Sequence, residues 1–205
     1  QAARIDPYRM AYRLLARLQK RGSHIFDRTK IERIQATSRG VALRTNEGHV
    51  VRANHLVLAA GYASQQWLRR KVAKNRSSYA FITDPIDGMA LGPLAQTMVW
   101  ESARPYLYLR STDDGRLLVG GEDDSLDIPA RRDARVDKKA RVLCKKVRGL
   151  FPELPLLPAF AWSGTFAETE DGLPFFGPHP PHGPRAHFPM PSRSNGSPHI
   201  MLGPG

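Results

Sequence analysis

Apolar positions change period several times along the chain, and each change marks an element. Ala11, Leu14, Leu15 and Leu18 recur at the i, i+3, i+4, i+7 spacing of one helix face. Asp6 and Pro7 open that helix, because Asp caps free amides and Pro fits the first turn. Lys20 and Arg21 close it and Gly22 stops it. Short strands follow at 24–26, 30–36, 40–45 and 49–53, the last two joined by the turn sequence Asn46, Glu47, Gly48. Residues 55–60, His-Leu-Val-Leu-Ala-Ala, form a mostly apolar run of the kind that makes a buried parallel strand, ended by Gly61. Residues 65–72 read as helical.

A second block begins near residue 79. Strands are expected at 79–83, 105–110 and 116–120, the last pair joined around Asp113, Asp114 and Gly115. Residues 133–149 carry helical spacing through Ala140, Leu143 and Val147 up to Leu150, and Pro152, Pro155 and Pro158 prevent its continuation. A strand at 160–162 and a turn with a short apolar strand at 169–177 complete the pattern. From Pro178 onward Pro and Gly dominate and no apolar period remains, so this tail is expected to be irregular and poorly ordered.

Composition narrows the classes. A 41% hydrophobic share over 205 residues supports a packed core. No apolar run approaches the length of a membrane-spanning helix, and the opening residues lack a secretory pattern. Cys144 is the single cysteine, which excludes an internal disulfide and a Cys-based metal site and agrees with a cytoplasmic protein. The net charge of +12 could attract a polyanion, but Lys and Arg are dispersed and no stripe interleaves them with aromatics, so nucleic acid is not the expected partner. His179, His182, His187 and His199 match no metal-ligand spacing. No G-x-S-x-G occurs.

Four stretches, in order, resemble the D-amino-acid oxidase, glycine oxidase and sarcosine oxidase group of flavoproteins. They are the first helix with Phe26-Asp27-Arg28-Thr29-Lys30-Ile31; the meander leading into His55-Leu56-Val57-Leu58-Ala59-Ala60-Gly61; Ala103 to Arg110 with Gly115 to Gly121; and Trp162-Ser163-Gly164 with Thr169-Glu170-Asp171-Gly172-Leu173-Pro174-Phe175-Phe176-Gly177. The resemblance covers about residues 4–177. It implies a mixed α+β and α/β fold: part of a doubly wound FAD-binding domain over residues 1–75, an antiparallel substrate sheet over 76–163, a return to the FAD domain over 164–177, and the tail 178–205.

The resemblance also implies a cofactor, FAD, and a small amine or amino-acid substrate oxidised by hydride transfer to the flavin. It places FAD contacts at Ile31, Ala60, Gly61, Asp171 and Gly172, and the substrate wall at Tyr106 and Tyr108. Amino-acid-oxidising members hold the substrate carboxylate with an Arg at the position of Phe166, and a phenyl ring cannot do this. That favours a less polar amine or another Arg, with Arg104 and Arg110 as candidates. No acid–base residue is expected, because the flavin carries the chemistry. The G-x-G-x-x-G turn that grips the pyrophosphate is absent from the sequence. The chain is therefore expected to be the C-terminal part of such an enzyme, weak or inactive alone. The alternatives are a non-enzymatic basic binding module and a non-functional gene fragment. Only Asn195 and Gly196 in the tail match the family's expected terminal glycine-rich turn, and a frameshift is one expectation for its origin.

Overall fold

The computed structural model describes residues 5–178 and 180–190. The tail expectations for residues 191–205, and those for His179, lie outside the described residues. The chain divides into two compact units, the first formed by residues 1–56 with 182–186 and the second by 57–181 with 187–205.

The first unit opens with α1 (Pro7–Lys20). The Asp6 carboxylate accepts the Arg9 amide at 3.0 Å, as the capping argument requires. None of its residues is buried, so its apolar face stays exposed. The expected strand at 24–26 does not form. β1 (Ile31–Ala36), β2 (Val41–Thr45) and β3 (Val50–Ala53) make an antiparallel meander. The Asn46–Gly48 turn holds because the Gly48 amide reaches the Thr45 carbonyl at 3.0 Å and Gly48 adopts φ +84°.

The run at 55–60 departs from expectation. Only β4 (Leu56–Val57) is strand, and Val57 is 61% exposed. Its partner is β10 (Ala186–His187), a two-residue strand, so no described sheet encloses the apolar run. Residues 65–72 do not form an α-helix either; a tight 3-10 helix occupies Gly61–Trp67, because Ser64 is tied back to Leu58 and Ala60.

The second unit is built on a five-stranded antiparallel sheet. Its strands are β5 (Ala73–Thr83), β6 (Met98–Trp100), β7 (Leu107–Ser111), β8 (Leu117–Asp124) and β9 (Pro158–Thr169), in the spatial order β6-β7-β8-β5-β9. β5 and β9 run far beyond the short strands legible in the sequence, because each supplies the other's hydrogen bonds along eleven paired positions. The short helices α2 (Gly88–Leu91) and α3 (Pro129–Asp133) connect the strands, and α4 (Val136–Leu150) covers one face of the sheet.

Period-two alternation sorts the sheet residues into two faces. Tyr79, Phe81, Leu107, Leu109, Leu117 and Val119 turn toward α4 and bury against Ala140, Leu143, Cys144 and Val147. This is the core. Burial pushes the Cys144 thiol above its ordinary range, which keeps it un-ionised and unreactive.

The tail expectation also changes. Ala186, Phe188 and Met190 are fully buried, and Phe188 and Met190 each bond by backbone to the 175–177 segment. Two aromatic or sulfur side chains with no local period were enough to anchor residues 186–190.

Candidate functional site

The face of the sheet opposite α4 carries the site. Directly opposed residues of an antiparallel pair point to the same side. Arg76 opposes Phe166, Ser78 opposes Gly164, and Tyr108 opposes Gly120 and Trp100. All of these lie on the face away from α4.

Tyr108 occupies this face because its cross-strand partner is glycine. A Cβ on Gly120 would overlap the end of the Tyr108 ring, so the ring lies across bare backbone. Gly121 plays a different part. Its φ is +136°, and a Cβ there would overlap the Tyr106 carbonyl. The next residue, Glu122, has φ +54°, and its amide donates to that same carbonyl at 3.0 Å. Between Ser77 and Tyr79 the register with β8 slips, so two residues of β8 oppose one of β5. This is a β-bulge, and it inverts the alternation beyond Gly121. Glu122 therefore turns toward α4, where Lys146 and Lys139 pair with it at 2.6 and 3.5 Å. Asp124 also faces α4, bonded by the Tyr79 hydroxyl at 3.1 Å and Arg135 at 3.0 Å. Asp123, between them, turns to the other face.

A cavity of about 680 Å³ opens there. Its walls include Tyr106, Tyr108 and Phe166, so the structure brings the three expected substrate-side residues together. Charged groups share it. Glu168 receives Arg76 Nε and, at 2.8 Å, Arg104 Nη2. Burial alone would raise the Glu168 carboxyl, but the hydrogen bonds and charges of Arg104 and Arg76 outweigh it and hold the group below the ordinary carboxylate range. The Arg104 guanidinium also stacks 5.2 Å from the centre of the Tyr106 ring. Asp123 behaves oppositely. Burial pushes its carboxyl up, with the nearby Ser78 hydroxyl and the charge of Arg104 pulling the other way. Tyr108 is raised chiefly by burial too.

Of the expected arginines, Arg104 lines the cavity and Arg110 does not. Arg76 was not among the expected site residues. Its signal lay in strand pairing, because it stands directly opposite Phe166. Asp123 and Glu168 were likewise not singled out; their side of the sheet depends on the bulge and on the length of β9.

The expected flavin contacts fall in separate places. Ile31 opens β1 in the first unit and is half-buried. Ala60 precedes the 3-10 helix, and Gly61 begins it with φ +56° and open space where a Cβ would stand. Asp171 and Gly172 form a tight turn after β9, in which the Asp171 side chain accepts the Leu173 amide at 2.9 Å and Gly172 has φ +73°. That turn lines a hollow of about 860 Å³ that shares Arg76, Arg104 and Glu168 with the first cavity. Among the described residues no group of His, Cys, Asp and Glu gathers as a metal site, and no helix is long and apolar enough to cross a membrane.

Comparison with known proteins identifies the family and the fold. A family model described as FAD dependent oxidoreductase matches residues 1–200. The chain belongs to the FAD dependent oxidoreductase family. Glycine oxidase from Geobacillus kaustophilus is 30% identical over 161 residues, which are 78% of this chain and 41% of the relative, so the chain spans less than half of that protein's length. The crystal structure of the Geobacillus enzyme superposes with a TM-score of 0.67 at 23% identity, covering 88% of this chain and 48% of the other. Amadoriase I from Aspergillus fumigatus, a fructosyl amine:oxygen oxidoreductase, superposes at 0.60 with 17% identity, covering 83% and 43%. Glycerol-3-phosphate dehydrogenase from Bacillus halodurans, complexed with FAD, superposes at 0.66 with 17% identity, covering 90% and 39%. The fold is thus the mixed one expected: antiparallel sheets with helices, as in FAD-dependent oxidoreductases.

The residues fit one side of a flavin and not the other. A Cβ on Gly164 would meet nothing within 4 Å, so the strand beside Ser78 leaves room for a flat ring. The diphosphate finds no such place, because the chain contains no G-x-G-x-x-G turn whose free amides would hold it.

Proposed function

We propose that this chain supplies the substrate side of an FAD-dependent oxidoreductase that acts on a small amine or amino acid. The observation that carries the reading is the cavity on the open face of the β5–β9 sheet, where Tyr106, Tyr108 and Phe166 meet Arg76, Arg104, Glu168 and Asp123. On this reading residues 1–75 and 164–177 belong to the FAD-binding portion and 76–163 to the substrate sheet. β5 and β9 carry the chain across both boundaries. Ile31, Ala60, Gly61, Asp171 and Gly172 contact the cofactor. The protein works in the cytoplasm, in keeping with its one buried thiol.

When bound, the flavin would accept a hydride from the carbon bearing the amine. The chain's own residues position the substrate. Tyr106, Tyr108 and Phe166 give it apolar walls to lie against. Arg76 and Arg104 are already engaged by Glu168, so neither is a bare clamp for a second carboxylate. A less polar amine therefore suits the cavity better than a free amino acid; of the similar proteins, one is described as acting on a fructosyl amine and another on the amino acid glycine.

The test is a visible spectrum of the purified chain with added FAD, followed by an amine screen for bleaching of the flavin band. Uptake of flavin by the chain alone, or with the nucleotide-binding segment of a relative added in trans, supports the reading. A well-folded chain that takes up no flavin under either condition refutes it.

A further inference from the structure

The two cations of the cavity wall converge on Glu168. This residue lies two positions beyond Phe166 on β9, on the same face, and its side chain is only 15% exposed. Arg76 reaches it from β5, where it stands directly opposite Phe166 and so diagonal to Glu168. Arg104 comes from farther away. It belongs to the loop between β6 and β7, whose base is closed by the Glu101 amide on the Leu107 carbonyl at 2.8 Å. β8 and β5 stand between β7 and β9, so Arg104 crosses the end of the sheet to meet Glu168 at 2.8 Å.

Each carboxylate oxygen takes one arginine. Oε1 accepts from Arg104 Nη2 and Oε2 from Arg76 Nε. Burial would raise the Glu168 carboxyl, but its arginine partners outweigh burial and keep it ionised near neutral pH.

An ion pair on an open surface contributes little to stability. These two pairs stand instead on the wall of the cavity, and the same three side chains also line the hollow at the Asp171 turn. Paired guanidinium groups are well suited to a carboxylate, because their N–H groups match its two oxygens. Here the chain's own carboxylate fills that place. Among the described residues, Arg76 and Arg104 are the cations that line the cavity, beside the acidic side chains of Glu101, Asp123 and Glu168. A ligand carboxylate would have to displace Glu168 and strip a largely buried anion of its partners, which is costly. Otherwise it would lie unpaired among acidic groups.

We propose that Glu168 is a specificity-determining residue of the cavity: its carboxylate takes the place of a substrate carboxylate between Arg76 and Arg104, so the site admits amines that carry no carboxylate and turns away free amino acids. This rests on the reading of the cavity as the substrate site and names the residue that sets the substrate class. The arginines are not lost for recognition; they are occupied from within.

The experiment needs no flavin, so it succeeds or fails independently of the flavin spectrum. The 205-residue chain is titrated calorimetrically near neutral pH with phenylacetate, which is anionic, and with 2-phenylethanol, its neutral counterpart. The wild type is expected to bind phenylacetate no more tightly than the alcohol. Glu168→Gln is expected to bind phenylacetate roughly tenfold or more tighter than the wild type does, equivalent to about 1.4 kcal/mol, while its alcohol affinity stays unchanged. Circular dichroism checks the fold of the variant, and Glu168→Ser provides the same comparison in case the amide does not fold. Glu101→Gln removes an acidic group from the cavity wall without freeing either arginine, and no such gain is expected from it. A wild type that already prefers phenylacetate to the alcohol overturns the proposal. So does a folded Glu168 variant without the gain, or an equal gain in Glu101→Gln.

Discussion

Gly121→Ala is the sharpest test of the bulge. At φ +136° the position suits glycine, and an L side chain there is strained by about 1–3 kcal/mol. The added Cβ also overlaps the Tyr106 carbonyl and stands 3.2 Å from the Leu107 Cα, both rigid backbone atoms. Overpacking of this kind costs about 1–3 kcal/mol. Taking the middle of each range gives a loss of roughly 4 kcal/mol. For a chain of this size that corresponds to a melting-temperature drop of roughly 8–16 °C. Thermal melts followed by circular dichroism measure it. Gly164→Ala is the internal control, because its Cβ meets nothing and its φ is ordinary; its melt should stay within about 2 °C of the wild type. A Gly121→Ala protein that melts as the control does would refute the bulge geometry, and with it the placement of Asp123.

Other expectations follow from the same structure. Leu143→Ala empties a fully buried position under the sheet and should destabilise the chain by about 3–5 kcal/mol in urea unfolding. Phe188→Ala should cost a comparable amount, about 3–5 kcal/mol, although it lies in a segment without apolar period; an unchanged urea midpoint would refute its burial. Glu168 is held below the ordinary carboxylate range in the folded state, so its contribution is present above that range and is lost as pH falls through the lowered value; Glu168→Gln should flatten the acid limb of the stability curve. Tyr79 is pushed up to about 12 by burial and by Asp124, so its contribution is complete below the ordinary tyrosine value and disappears as pH rises toward about 12. Ultraviolet titration of Asp124→Asn should return the tyrosine transition toward lower pH.

Local chemistry alone determined much of this protein. The Asp6 cap, Pro7 and the apolar stripe of α1, the Asn46–Gly48 and Asp113–Gly115 turns, and the proline stop after α4 each depend on residues a few positions apart. Tyr106, Tyr108 and Phe166 were legible as site candidates because a family pattern runs through them. Pairing across the sheet decided the rest. The lengths of β5 and β9 come from each other and not from their own propensities. Arg76 became a site residue by standing opposite Phe166, ninety residues away in sequence. The side to which Asp123 points turns on a single inserted residue, since a shift of one position sends a strand side chain to the opposite face. The apolar run at 55–60 shows the converse: hydrophobicity marks a strand for burial, but burial needs neighbouring strands on both sides, and among the described residues its one strand partner is β10.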